Sequence, residues 1–211
     1  MPSRSPAASE DPSTEQRQAR RSSLMLRTAK VVCQSGEYAC IVRDVSPGGT
    51  RLRFFHAVPS ERRIFLTLAN GLNYPVERVW ARGDSAGYRF ARAIDLDAFI
   101  SEPGPYPHRG VRLRLERPAL VTTGGIDSRA MLADISTRGA RVVGGRRYAE
   151  GSLLRLEVEG FPVRFGNVCW RRDHDHGIIF QEAIPLDRLA QLLFELQPFA
   201  QEPDAAASQA A

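Results

Sequence analysis

The sequence predicts an all-β protein: two small six-stranded antiparallel barrels in tandem, each followed by a short C-terminal helix. Three observations predict it. First, the chain reads as short runs of alternating apolar and polar residues broken by turn residues, as in Thr50-Arg51-Leu52-Arg53-Phe54, which is the period of a strand with one buried face. Second, Asp44-Val45-Ser46-Pro47-Gly48-Gly49 returns 90 positions later as Asp134-Ile135-Ser136-Thr137-Arg138-Gly139. Third, six strand-like runs fall within about 75 residues of each copy, and closing so many short strands into a barrel removes their exposed edges.

The repeat is ungapped. The same offset pairs Arg27 with Arg117, Val31 with Val121, Arg51 with Arg141, Leu66 with Leu156, Trp80 with Trp170, Gly87 with Gly177, Phe90 with Phe180 and Asp97 with Asp187. Solenoid repeats have periods of roughly 20–50 residues, so a period of 90 makes each copy a domain. Copy one is placed at 17–100 and copy two at 108–198. Residues 101–107 include Pro103, Pro105 and Pro107 and read as an extended, stiff linker. Residues 1–16 and 199–211 are polar or rich in Ala and Ser and are expected to be disordered.

In copy one, strands are expected at 26–33, 38–43, 50–55, 63–68, 74–81 and 87–93, with a short helix at 95–100. Copy two repeats the scheme and closes on a longer helix over 185–197. There Leu186, Leu189, Leu193 and Leu196 share one face, and Pro185 suits the first turn. That face is expected to pack on its own barrel. The Gly-Gly pairs at 48–49, 124–125 and 144–145 fall between strand-like runs and read as hairpin turns.

Composition narrows the function. The chain is 43% hydrophobic, enough for a core, yet no apolar run nears the roughly 20 residues of a membrane span. The N-terminus has an early Arg4 with no apolar segment behind it, so no secretory signal is expected and the cytoplasm is the expected compartment. Cys33, Cys40 and Cys169 lack CxxC spacing and read as buried thiols rather than a disulfide or zinc framework. The formal charge is +5, and Lys30 is the sole lysine. Arginine presents a planar fork suited to phosphate oxygens and base faces. No basic run marks a nucleic-acid patch, so a nucleic-acid polymer is not an expected partner. The chain contains no GxSxG, Walker or GxGxxG motif, and a non-enzymatic protein without a cofactor is expected. Asp173-His174-Asp175-His176-Gly177 occupies a predicted hairpin tip and reads as a solvated turn rather than a metal site.

The informative pair is Arg17-Gln18-Ala19-Arg20-Arg21, an RxxxR on a polar arm before the first strand, with Asp44-Val45-Ser46-Pro47-Gly48-Gly49, a DxSxxG between two strands. A carboxylate such as Asp44 accepts from two N–H groups and can read the Watson–Crick edge of guanine. Ser46 adds a hydroxyl, and Gly49 leaves room for close backbone approach. Arg17 and Arg21 can pair with phosphates and stack on bases.

These motifs, with the later Trp80 and Gly87-Tyr88-Arg89-Phe90, resemble the PilZ family of bacterial cyclic di-GMP receptor domains, as two tandem copies. The resemblance implies six-stranded barrels, and a ligand that is often an intercalated dimer. It implies that Arg17 and Arg21 hold phosphates and stack on guanines, and that Asp44, Ser46 and Gly49 hold a guanine base. Copy two keeps Asp134, Ser136 and Gly139 but carries Pro107 and Val111 where copy one has the two arginines. It is therefore expected to be a degenerate copy serving as scaffold or partner-binding module. The expected function is a cyclic di-GMP receptor that signals to a protein partner by ordering the arginine arm. The alternative is a ligand-independent protein-interaction module.

Overall fold

The computed structural model describes residues 23–103 and 110–197. The two arms, most of the linker, and with them Arg17 and Arg21, lie outside the described residues. The first barrel runs β1 (Ser23–Cys33), β2 (Gly36–Ser46), β3 (Gly49–Phe54), β4 (Arg63–Thr67), β5 (Asn73–Arg82) and β6 (Ser85–Phe90), followed by α1 (Leu96–Ser101). The second runs β7 (Leu113–Thr123), β8 (Ile126–Ser136), β9 (Gly139–Val143), β10 (Leu153–Val158), β11 (Phe161–Arg172) and β12 (Asp175–Phe180), followed by α2 (Leu186–Leu196). Both sheets close, in the orders β1-β2-β3-β6-β5-β4 and β7-β8-β9-β12-β11-β10.

The repeat extends to the irregularities. Ladder pairing shifts by a β-bulge between Leu24 and Arg27, between Val42 and Asp44, and between Arg78 and Trp80. Each shift recurs 90 residues later, at Arg114/Arg117, Leu132/Asp134 and Val168/Trp170. A bulge adds an unpaired residue, bends its strand and re-aims the next side chain. Asp44 and Trp80 each follow such a bulge, and both line one groove.

Alternate residues of each strand fill the cores. The first holds Val31, Val42, Leu52, Phe54, Leu66, Tyr88, Phe90 and Phe99. The second holds Val121, Leu132, Val142, Leu156, Ile178, Phe180, Leu189 and Leu193. Val42 pairs across the ladder with Leu52, while at the same place Leu132 pairs with Val142. The two copies exchange a small and a large residue within one contact, so total volume is kept, the kind of change a core tolerates best.

Four sequence expectations are corrected. Cys169 is exposed rather than buried, because it is the extra residue of the Val168/Trp170 bulge, as Val79 is in copy one. Gly144 and Gly145 do have positive φ, but they follow β9, whose partners are β8 and β12, so they lead into a crossover and not a hairpin. His176 is 0% exposed rather than solvated. The turn ends at His174, two residues before the end of the Asp/His run, and strand alternation then carries the His176 ring inward. Its Nε2 accepts from the Tyr148 backbone N–H at 3.2 Å.

The last correction concerns α2. It starts at Leu186, with Pro185 at the cap position, and packs Leu189, Ala190, Leu192 and Leu193 on its own barrel as expected. Its C-terminal end also binds the first barrel. Phe194 stacks on His56, with ring centroids 4.3 Å apart and planes 12° from parallel. The Gln197 amide accepts from the Glu37 N–H at 3.2 Å and donates to the Glu37 carbonyl at 2.6 Å. It fits there because a Cβ on Gly36 would overlap it.

Candidate functional site

The β2–β3 turn carries Asp44, Ser46 and Gly49, and four hydrogen bonds pin it. The Ser46 hydroxyl donates to the Gly49 carbonyl at 3.2 Å, and Thr50 Oγ1 donates to the Asp44 carbonyl at 2.8 Å. The Phe90 N–H donates to Gly48 O at 3.1 Å, and the Ile94 N–H donates to Pro47 O at 3.0 Å. The turn is thus fixed before any ligand arrives, which lowers the entropic cost of binding. Ser46 spends its proton on the turn and keeps lone pairs that can accept from a ligand. The glycine has a structural reason of its own. A Cβ at Gly49 would lie 2.6 Å from the Tyr88 carbonyl oxygen, so the residue lets β3 approach β6 closely.

Asp44 is half-open. Arg51 Nε forms an ion pair with Asp44 Oδ2 at 2.6 Å. Among the described residues, nothing engages Oδ1. The carboxylate pairs with a guanidinium through one oxygen and keeps the other, with two lone pairs, for a ligand donor.

A groove of ≈ 660 Å³ opens over this turn. Asp44 to Arg51 line one side, and Val79, Trp80 and the β6 segment Gly87-Tyr88-Arg89 line the other. Trp80 is 45% exposed. Its indole lies on Gly87, where any Cβ would overlap it. The site therefore joins an acceptor, exposed guanidinium groups on Arg51 and Arg89, and an aromatic face. This combination suits a ligand that has N–H donors, negative charge and flat rings.

Residues 15–100 match the PilZ domain family. The first barrel is a PilZ domain. Its PilZ turn supplies Asp44, Ser46 and Gly49 together, as the DxSxxG motif implies, whereas the arm bearing Arg17 and Arg21 lies outside the described residues. Sequence reasoning did not single out Val79, Trp80, Tyr88, Arg51 and Arg89 as site residues. The signal for Trp80 was present in the repeat, because Trp80 with Gly87 recurs as Trp170 with Gly177, and both indoles lie on their glycines.

No curated protein sequence matches the chain. Among solved structures, the chain is similar to the PlzA protein of Borreliella burgdorferi in complex with c-di-GMP, at 15% identity and a TM-score of 0.34, covering 82% of this chain and 88% of that one. It is similar to MrkH of K. pneumonia in its c-di-GMP complex, at 12% identity and a TM-score of 0.33, covering 87% and 90%. It is also similar to YcgR of Escherichia coli in complex with c-di-GMP, at 12% identity and a TM-score of 0.32, covering 85% and 84%. Among the described residues, no helix is long and apolar enough to cross a membrane.

Proposed function

We propose that the chain is a cyclic di-GMP receptor whose first barrel holds the ligand. The observation that carries the reading is Oδ1 of Asp44, unengaged among the described residues, on a pinned PilZ turn beside a groove lined by Trp80. Asp44 accepts from the N1–H and N2–H edge of guanine, and Ser46 adds an acceptor. Arg17 and Arg21 hold the phosphates and stack on the bases. The position of the first strand supports the arm's role. Ser23 pairs with Val45 and Leu24 with Asp44, so β1 begins beside the turn. Arg21 is two residues upstream, within a few ångströms of chain. Binding orders the arm over the barrel, and the ordered arm changes the surface offered to a protein partner.

Calorimetric titration with cyclic di-GMP, with GTP and cyclic di-AMP as controls, tests the proposal. Selective, saturable binding is expected, and the double variant Arg17→Ala/Arg21→Ala should show none. Asp44→Asn should weaken binding roughly tenfold or more, since a bond to a charged acceptor contributes about 1.5–3 kcal/mol. Undiminished affinity in the double variant would refute the clamp.

One observation favours the second reading, a ligand-independent interaction module. The outer face of β10–β12 exposes Leu153, Phe165 and Ile179, whereas the first barrel carries Arg63, Pro75 and Arg89 at the same places. An apolar patch of this kind marks interaction surfaces. The same titration decides between the readings, because absence of saturation at high micromolar ligand leaves only the second.

A further inference from the structure

The second barrel retains the DxSxxG turn, with three of its four internal bonds; Ala140 stands where Thr50 donates in the first. The Ser136 hydroxyl donates to Gly139 O at 3.2 Å, the Phe180 N–H donates to Arg138 O at 2.9 Å, and the Ile184 N–H donates to Thr137 O at 2.7 Å. Arg141 Nε donates to Asp134 Oδ2 at 2.6 Å, where Arg51 and Asp44 form an ion pair over the same distance. One contact is new. Arg112 Nη1 donates to Asp134 Oδ1 at 2.8 Å. This is the counterpart of the oxygen that no described residue of the first barrel engages. The Asp134 side chain is accordingly 17% exposed, against 27% for Asp44.

The register explains how Arg112 reaches it. Leu113 pairs with Ile135 and Arg114 with Asp134, so the chain entering β7 passes beside the β8–β9 turn. Arg112 is the last residue before β7, and in the first barrel that position is Ser22, next to Arg21. The second copy has thus lost both arm arginines and placed a different arginine one residue further along. A guanidinium presents N–H donors to a carboxylate in a plane, as the N1–H and N2–H edge of guanine does. Seated on Asp134, it satisfies the acceptor that a guanine would need. Displacing it would break a charge-assisted bond between two half-buried groups.

Building on the reading of the first barrel as a cyclic di-GMP site, we propose that Arg112 is an internal ligand of the second barrel. It holds Asp134 and keeps that site shut to guanine nucleotides. The repeat then gives one receptive site and one self-occupied site per chain. The second barrel keeps a closed turn at any concentration of ligand.

The test restores the lost arm with and without the internal ligand. Full-length Pro107→Arg/Val111→Arg keeps Arg112, and Pro107→Arg/Val111→Arg/Arg112→Ser gives position 112 the residue that the first barrel carries. Cyclic di-GMP bound per chain is measured by equilibrium dialysis, with melting curves confirming that each variant folds. The triple variant should bind twice the ligand of wild type, and the double variant the same amount as wild type. A gain of equal size in both variants would show that Arg112 blocks nothing. A gain in neither would show that more than Arg112 closes the site. Either result overturns the proposal. The receptor reading is judged separately, on wild type: if wild type binds nothing and the triple variant alone gains binding, that reading fails while the Arg112 assignment stands. Should the serine variant not fold, Arg112→Gln in the same background preserves the comparison, since it keeps the unbranched stem as far as Cδ and removes the charge.

Discussion

At the scale of the residue, two glycines fix the geometry of the binding groove. Gly49 sits where a methyl group would meet the Tyr88 carbonyl oxygen at 2.6 Å, and that oxygen belongs to a paired strand that cannot give way. Gly49→Ala is therefore expected to destabilise the first barrel by about 1–3 kcal/mol, in the range of overpacking, measured by urea unfolding. Gly87→Ala is expected to lift the Trp80 indole off the sheet, shifting its fluorescence to the red and weakening cyclic di-GMP binding. The thiols make a third expectation at this scale. Burial, with a smaller contribution from Glu61, pushes Cys33 up to about 12, and burial raises Cys40 further still. A thiol held protonated is a poor nucleophile. Cys169 is exposed. Native protein should thus react rapidly at one thiol with a disulfide reagent and at all three only when unfolded, and Cys169→Ser should remove the fast phase.

At the scale of the element, the strands and the site turn were legible because strand alternation and the DxSxxG spacing are local properties. Thr50 to Phe54 alternates in sequence and in burial, and Asp44, Ser46 and Gly49 needed only one turn to bring them together. The bulges were not legible, since an extra residue in a strand changes no pattern until its partner strand is known. That is why Cys169 looks like a core position in the sequence. The arrangement of His176 was hidden for a related reason: whether a residue after a turn faces in or out depends on where the turn ends. The second role of α2 was hidden because it depends on contacts 160 positions apart, between Gln197 and Glu37. Those contacts make a prediction. Phe194 and Gln197 join a helix of the second barrel to the first, and Ala39 and Phe55 of the first barrel pack with the core of the second. The two barrels should melt as one calorimetric transition. Phe194→Ala/Gln197→Ala removes the stack and both amide bonds, and is expected to split that transition in two. A single unbroken transition in the variant would show that the remaining contacts suffice.

At the scale of the whole molecule, two histidines tie folding to pH. His56 lies between the barrels, with Tyr38 and Phe194 against its ring, and His176 lies inside the second barrel against Tyr148. Burial pushes both imidazoles below the ordinary 6.5. His56 donates through Nδ1 to the Ala57 carbonyl at 2.7 Å, so an added proton goes to Nε2, which is buried without a partner. His176 accepts at Nε2 from the Tyr148 N–H, so a proton added there would break that bond. In the unfolded chain both rings take a proton near 6.5. Below that pH the unfolded state therefore binds more protons than the folded state, and stability falls as pH falls. The contribution is fully present above 6.5 and is lost as pH drops from there toward the depressed folded values. The slope reaches at most about 1.4 kcal/mol per pH unit for each histidine. Melting temperature measured from pH 8 to pH 5 should be flat at first and then decline. His56→Phe keeps an aromatic ring against Phe194 without a titrating nitrogen and should remove part of the decline. His176→Ala, which installs the residue the first barrel has at Ala86, should lower stability throughout by opening a cavity while removing the other part. Because His56 sits at the joint between the barrels, its share should appear first as loss of coupling. In mild acid the single transition of wild type should begin to separate, and in His56→Phe it should stay whole.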